Sequence, residues 1–171
     1  MKIMTIVGTR PEIIKLSRTI NELDKSFENI LVNTNQNFSY ELGKIFFKDL
    51  NIGKPDYNLN VDSKINFKTI SKTINDCGLI MLKEKPDLIV ILGDTNSSYA
   101  AISAKKLKIP IFHLEAGNRC YDQDVPEEIN RRIIDHTSEI NLVYTEHARQ
   151  NLIREGIHPQ TIIKTGSPMK E

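Results

Sequence analysis

The sequence predicts an α/β fold built on a mostly parallel sheet, and three observations carry that prediction. Short β-branched or aliphatic runs recur along the chain, segments of helical periodicity separate them, and one run, Leu88-Ile89-Val90-Ile91-Leu92, is apolar throughout. Alternating strand and helix signals mark βαβ units, and a strand with no polar face belongs in the centre of a sheet covered on both sides.

Ile3 to Val7 reads as the first strand. Thr9-x-x-Glu12 with Pro11 forms a capping box with proline in the first turn, so a helix starts directly after Gly8. Ile13, Leu16, Ile20 and Leu23 recur along it at helical spacing. Ile30 to Thr34 is the second strand, and Tyr40 to Leu50 a second helix. Asn51 to Lys64, holding Gly53, Pro55 and several Asn and Asp residues, reads as a long loop with at most one short strand at Tyr57 to Asn60. A helix over about Phe67 to Lys83 leads into the strand Leu88 to Leu92. Then follow helix Ser97 to Leu107, strand Ile109 to Leu114, helix Glu127 to Ile140, strand Asn141 to Tyr144, helix Glu146 to Arg154 and strand Thr161 to Lys164. Residues 1–166 are therefore expected to form one domain. Residues 167–171 are expected to begin a linker, with a second domain missing from this chain.

The 171 residues suit one domain or part of a larger protein, and folding at this size buries roughly 70% of the extended chain's surface. Apolar residues make up 39% and charged residues 26%, so neither disorder nor a membrane protein is indicated. Lys plus Arg total 23 against 22 Asp plus Glu, a net charge of +1 that argues against a nucleic-acid groove or attraction to a membrane surface. Any anionic ligand must be met by local groups. Two cysteines, Cys77 and Cys120, with no leader pattern and no apolar run of the ~18 residues a span needs, point to a cytoplasmic protein with reduced thiols.

In an open parallel sheet, ligands sit beyond the carboxyl ends of the strands. Gly8-Thr9-Arg10-Pro11-Glu12 follows the first strand and opens a helix, where free N–H groups, the helix dipole and the fork of Arg10 favour a phosphate; it reads equally as a capped turn with a solvated arginine. Asp94, after the buried strand, is an N-cap or a catalytic carboxylate. His113 and Glu115 end the next strand, and period two puts them on one side. Glu115 there is either a working group or a structural ion pair to Arg119. In the helix after Pro126, Ile129, Ile133 and Ile140 share a face, while Glu127 and Arg131 project roughly opposite, as a solvated pair or toward a cleft. His136 lies near the apolar stripe and is expected to be a hydrogen-bonded core histidine. The chain offers neither a Gly-x-Gly-x-x-Gly fingerprint nor Cys-x-x-Cys or His-x-x-x-His, so neither a dinucleotide nor a metal ion is expected.

Four motifs occur in order at these strand ends: Gly8-Thr9-Arg10-Pro11-Glu12, Gly93-Asp94-Thr95, Glu115-Ala116-Gly117-x-Arg119 and Pro126-Glu127-Glu128-x-Asn130-Arg131. Along essentially its whole length the chain resembles the amino-terminal domain of the non-hydrolysing UDP-N-acetylglucosamine 2-epimerases. The resemblance implies a Rossmann-like three-layer domain, the amino-terminal half of a GT-B pair, with a UDP-sugar in the interdomain cleft, usually in a homodimer. It implies elimination of UDP across C1 and C2 and its re-addition with a proton on the other face of C2, without metal or nicotinamide. Carried over by motif, Asp94, Glu115 and Glu127 handle the C2 proton and assist departure of UDP, and Arg131 orients them or stabilises charge. Arg10, Lys15 and Arg119 are implied on the substrate side. Asn35-Gln36-Asn37 stands where many members have a Gln-His pair, so the activator site of the bacterial enzymes is not carried over. Asn118-Arg119-Cys120-Tyr121-Asp122-Gln123 looks more like the capsule and O-antigen branch that forms UDP-N-acetyl-L-fucosamine. The rival readings are a GT-B glycosyltransferase half, which does not need this acidic set, and a non-catalytic nucleotide-binding module.

Overall fold

A computed structural model describes residues 1–35, 47–61 and 65–170. Seven parallel strands form one sheet in the order β3-β2-β1-β4-β5-β6-β7. They are β1 (Lys2–Val7), β2 (Glu28–Asn33), β3 (Tyr57–Asn58), β4 (Leu88–Leu92), β5 (Ile111–Leu114), β6 (Ile140–Val143) and β7 (Ile162–Lys164). The helices that lie wholly within the described residues are α1 (Arg10–Ser26), α2 (Asn66–Glu84), α3 (Ala100–Lys106), α4 (Pro126–Thr137) and α5 (Glu146–Arg154). Strand order reverses between β1 and β4, the switch point beside which doubly wound sheets bind ligands.

Alternate residues of the central strands feed two cores. Met4, Ile6, Ile89 and Ile91 pack with Cys77, Ile80 and Met81 of α2, Ala100, Ala101 and Ala104 of α3, and Ile134 of α4. Ile3, Val7, Val90 and Leu92 pack with Ile13, Leu16 and Ile20 of α1. A third cluster ties Leu152 and Ala148 of α5 to Val143 and Ile162. The expected three-layer α/β architecture is therefore present. No described helix is long and apolar enough to cross a membrane.

Local differences from the expected elements have physical reasons. β5 starts at Ile111 rather than Ile109, because Lys108 takes φ 59° and Pro110 has no N–H to give a ladder. The helix expected from Ser97 opens as a 3-10 turn, Asn96–Tyr99. α4 ends at Thr137, and Ile140 belongs to β6. The expected stripe Ile129, Ile133, Ile140 is not its buried face: Ile129 is 50% exposed, and Glu128, Asn130, Ile134 and Asp135 are buried instead. The short strand in the loop covers Tyr57–Asn58 only. Of the helix expected over Tyr40 to Leu50, residues 47–49 are helical and the earlier part lies outside the described residues, as do Gln36 and Asn37. Pro168–Lys170 form a 3-10 turn against α1.

Candidate functional site

The turns after β1, β4 and β5 meet at the carboxyl edge of the sheet beside α4. After β1, Arg10 is the first residue of α1 and is exposed. Glu12, two residues on, is 2% exposed and joins two strand ends. It accepts from the N–H groups of Gly8 and Thr9 and from the hydroxyls of Thr95 and Ser97. Burial pushes its carboxyl up, against the pull of those donors.

After β4, Gly93 turns the chain at φ 74° and Asp94 follows. Asp94 is not the cap of the next turn; Thr95 is, taking the Ser97 N–H at 3.3 Å. The Asp94 carboxylate instead meets Arg131, with Nε at 2.9 Å and a terminal nitrogen at 2.7 Å, and Asn130 donates to its backbone carbonyl at 2.8 Å. After β5, Glu115 adopts φ 65°, and both its oxygens lie 2.6 to 2.7 Å from Lys15 Nζ. The ion pair weighed between Glu115 and Arg119 is therefore replaced by one from α1. A Cβ on Gly93 would stand 3.9 Å from a Glu115 carboxylate oxygen, so the Glu115 carboxylate lies against the turn that carries Asp94.

Arg119 turns inward. Its side chain has no exposed surface, and its guanidinium is shared between Asp135 at 2.7 Å and Glu155 at 2.6 and 2.8 Å. Glu127 is exposed in the first turn of α4, and of the two readings left open for it, the pair with Arg131 is not formed. Its neighbour Glu128 makes it instead: 1% exposed, it takes Arg131 at 3.0 Å, Arg132 at 2.9 and 3.1 Å and the Cys120 N–H at 3.0 Å. His136 is not a core histidine; it stands at the surface, 3.2 Å from Glu155, and the buried histidine is His113. Among the described residues, no group of three His, Cys, Asp or Glu side chains is placed to hold a metal ion.

Residues 21–171 match the family model described as UDP-N-acetylglucosamine 2-epimerase. The UDP-N-acetylglucosamine 2-epimerase of Rickettsia bellii superposes with a TM-score of 0.94 at 55% identity, over 99% of this chain and 46% of that one. The Methanocaldococcus jannaschii UDP-GlcNAc 2-epimerase in complex with UDP-GlcNAc and UDP superposes with a TM-score of 0.94 at 45% identity, over 98% and 47%. The UDP-2,3-diacetamido-2,3-dideoxy-D-glucuronate 2-epimerase of Pseudomonas aeruginosa is 38% identical over all of this chain and 50% of its own.

This chain belongs to the UDP-N-acetylglucosamine 2-epimerase family.

It spans about half the length of the family members it matches, and its fold is one half of their GT-B arrangement. In this family member three carboxylates and three cations interlock at the sheet edge: Glu115 with Lys15, Asp94 with Arg131, and Glu128 with Arg131 and Arg132. Burial alone would push Glu128 up; the Cys120 N–H and the two guanidiniums outweigh it and hold the carboxyl at about 2. Burial opposes the charge of Arg131, yet Asp94 and Glu128 raise its pKa overall.

Three residues of this edge make contacts that the sequence patterns do not reveal. Glu12 was visible only as half of a capping box, although the same carboxylate reaches across to β4. Glu128, beside Glu127, is distinguished from it only by which side of α4 packs inward. Asp135 carries no local signal beyond its i, i+4 spacing from Arg131.

Proposed function

We propose that this chain is the amino-terminal domain of a two-domain UDP-2-acetamido-sugar C2 epimerase that eliminates and re-adds UDP across C1 and C2. The observation that carries the reading is the adjacency of Asp94 and Glu115 at neighbouring strand ends, each clamped by a cation from a different helix, Arg131 of α4 and Lys15 of α1. A hydrogen on C2 beside an acetamido group is weakly acidic. Removing it calls for a positioned carboxylate, and loss of UDP calls for positive charge near the diphosphate. Asp94, Glu115 and the exposed Glu127 are the proton-handling groups of this proposal, with Arg131 orienting Asp94. Arg10, exposed at the start of α1, receives the diphosphate. Arg119, buried between two protein carboxylates, supports the β5 turn rather than touching the sugar.

The names of the relatives favour UDP-N-acetylglucosamine as substrate. The stretch Asn118 to Gln123 favours a 6-deoxy-L-talose precursor of UDP-N-acetyl-L-fucosamine, used for capsule or O-antigen, and both belong in the assay. The proposal includes a carboxyl-terminal domain closing the cleft, a homodimer, and a cytoplasmic site of action, the last consistent with the free thiols of Cys77 and Cys120. The two-domain enzyme in heavy water, with no added cofactor, is expected to place deuterium at C2 of its product and to leave small amounts of free UDP and 2-acetamidoglycal. Retention of the original C2 hydrogen, a strict need for nicotinamide, or sugar transfer to an acceptor without exchange at C2 would each sink it.

A further inference from the structure

We infer that Asp135, acting through His113, is a positioning residue that sets the spacing between the β4 turn carrying Asp94 and the β5 turn carrying Glu115. The inference rests on the function proposed above, in which those two carboxylates serve one substrate.

Asp135 and His113 are each 1% exposed and cannot touch a ligand in the cleft. One Asp135 oxygen lies 2.8 Å from His113 Nδ1, and the other accepts from Arg119 at 2.7 Å. The Gly117 N–H reaches both oxygens at 3.3 Å. The other ring nitrogen of His113 lies 2.9 Å from the carbonyl of Gly93, the residue before Asp94. The Gly93 N–H donates to Leu114 at 3.0 Å, so the peptide units on both sides of Gly93 are tied to β5. A single carboxylate thereby joins the Gly93–Asp94 turn to the Glu115–Gly117 turn.

The second turn has little freedom of its own. Gly117 sits at φ 79°, where a Cβ would stand 2.4 Å from the Ala148 carbonyl oxygen, and Asn151 donates to the Gly117 carbonyl at 3.0 Å. Asp135 holds the N–H of the same residue from the α4 side. On α4, Glu127, Arg131 and Asp135 follow one another at four-residue intervals, so the residue that anchors both turns also sets the helix that presents Arg131 to Asp94. Buried ion pairs such as Arg119–Asp135 contribute little net stability relative to apolar packing. What this one does supply is geometry, because each donor fixes an angle as well as a distance.

Asp135→Asn in the two-domain enzyme keeps the size of the side chain and removes its charge. The expected result is a folded protein whose kcat for UDP-N-acetylglucosamine falls between about 10- and 100-fold, as small misplacements of reacting groups do, while KM stays within about threefold. A larger share of turnover should end as free UDP and 2-acetamidoglycal, since the group that returns the proton is out of place. His113→Gln should show the same split of kcat from KM. A folded Asp135→Asn with wild-type kcat, or with a raised KM and unchanged kcat, overturns the inference. Failure of both variants to fold overturns it too, because the network then serves the fold rather than the site. A wild-type enzyme inactive on UDP-N-acetylglucosamine and on the 6-deoxy-L-talose precursor instead removes the proposed function, and this inference with it.

Discussion

Glu115 holds φ 65°, a left-handed backbone that costs a residue with a Cβ on the order of 1 kcal/mol or more. Such strain persists where surrounding contacts over-determine it, and here Lys15 clamps the carboxylate while the Ala116 N–H donates to Leu142 at 3.2 Å. Asp94 is likewise spared from capping by Thr95 and presented to Arg131. Groups held this way by cations and left partly open to the cleft suit proton transfer. In the two-domain enzyme, Asp94→Asn, Glu115→Gln and Glu127→Gln should each lower turnover about 100-fold or more while circular dichroism and melting temperature change little. Near-wild-type turnover in all three would return these residues to structural roles. Their motifs stood out in the chain because strand ends are legible there; the partners did not, because Lys15 and Glu115 are a hundred positions apart and only the packing of α1 on the sheet joins them.

Helix α4 shows where periodicity misleads. Isoleucines mark its apolar positions, yet its inner side is lined by Glu128, Asn130, Ile134 and Asp135, with Ile129 outside. Buried charges are tolerated there because each meets a partner, and a pattern that counts only apolar residues cannot register them. Acid should expose this dependence. The folded Glu128 carboxyl titrates at about 2 against an ordinary 4.5, so the unfolded chain binds a proton first as pH falls. The stabilisation from this group is present in full above about pH 4.5 and is lost as pH drops through about 2. On linkage it amounts to on the order of 3 kcal/mol. Urea unfolding of wild type and Glu128→Gln across that range should show the stability difference shrinking toward low pH; a constant difference would refute the assignment.

At the scale of the whole molecule, the reversal of strand order between β1 and β4 puts the Gly8 and Gly93 turns side by side, and Glu12 ties them together. This edge carries Lys15, Glu115, Asp94 and Arg131, each partly exposed, and in the proposed enzyme it is one wall of the cleft. The opposite wall belongs to the second domain of the proposed enzyme. The chain of residues 1–171 alone should therefore fold cooperatively, with helical and strand signal by circular dichroism, and yet fail to epimerise UDP-N-acetylglucosamine, because effective concentration in such reactions depends on holding both ends of the substrate. Turnover by this chain alone would contradict the two-domain reading.

Alternating apolar runs and helical spacing were enough to establish the α/β class, the parallel sheet and the strand ends at which polar motifs cluster, because strand and helix periods are local properties of neighbouring residues. The motifs at those ends also carried the family. The pairing of charges was decided only by tertiary structure. Arg119 turned inward to Asp135, Glu128 rather than Glu127 met Arg131, and His113 rather than His136 was buried. Each of these depends on the rotation of a helix against the sheet and on the path of a turn. Both are set by packing between residues far apart in sequence, where desolvation forces every buried charge to find a partner.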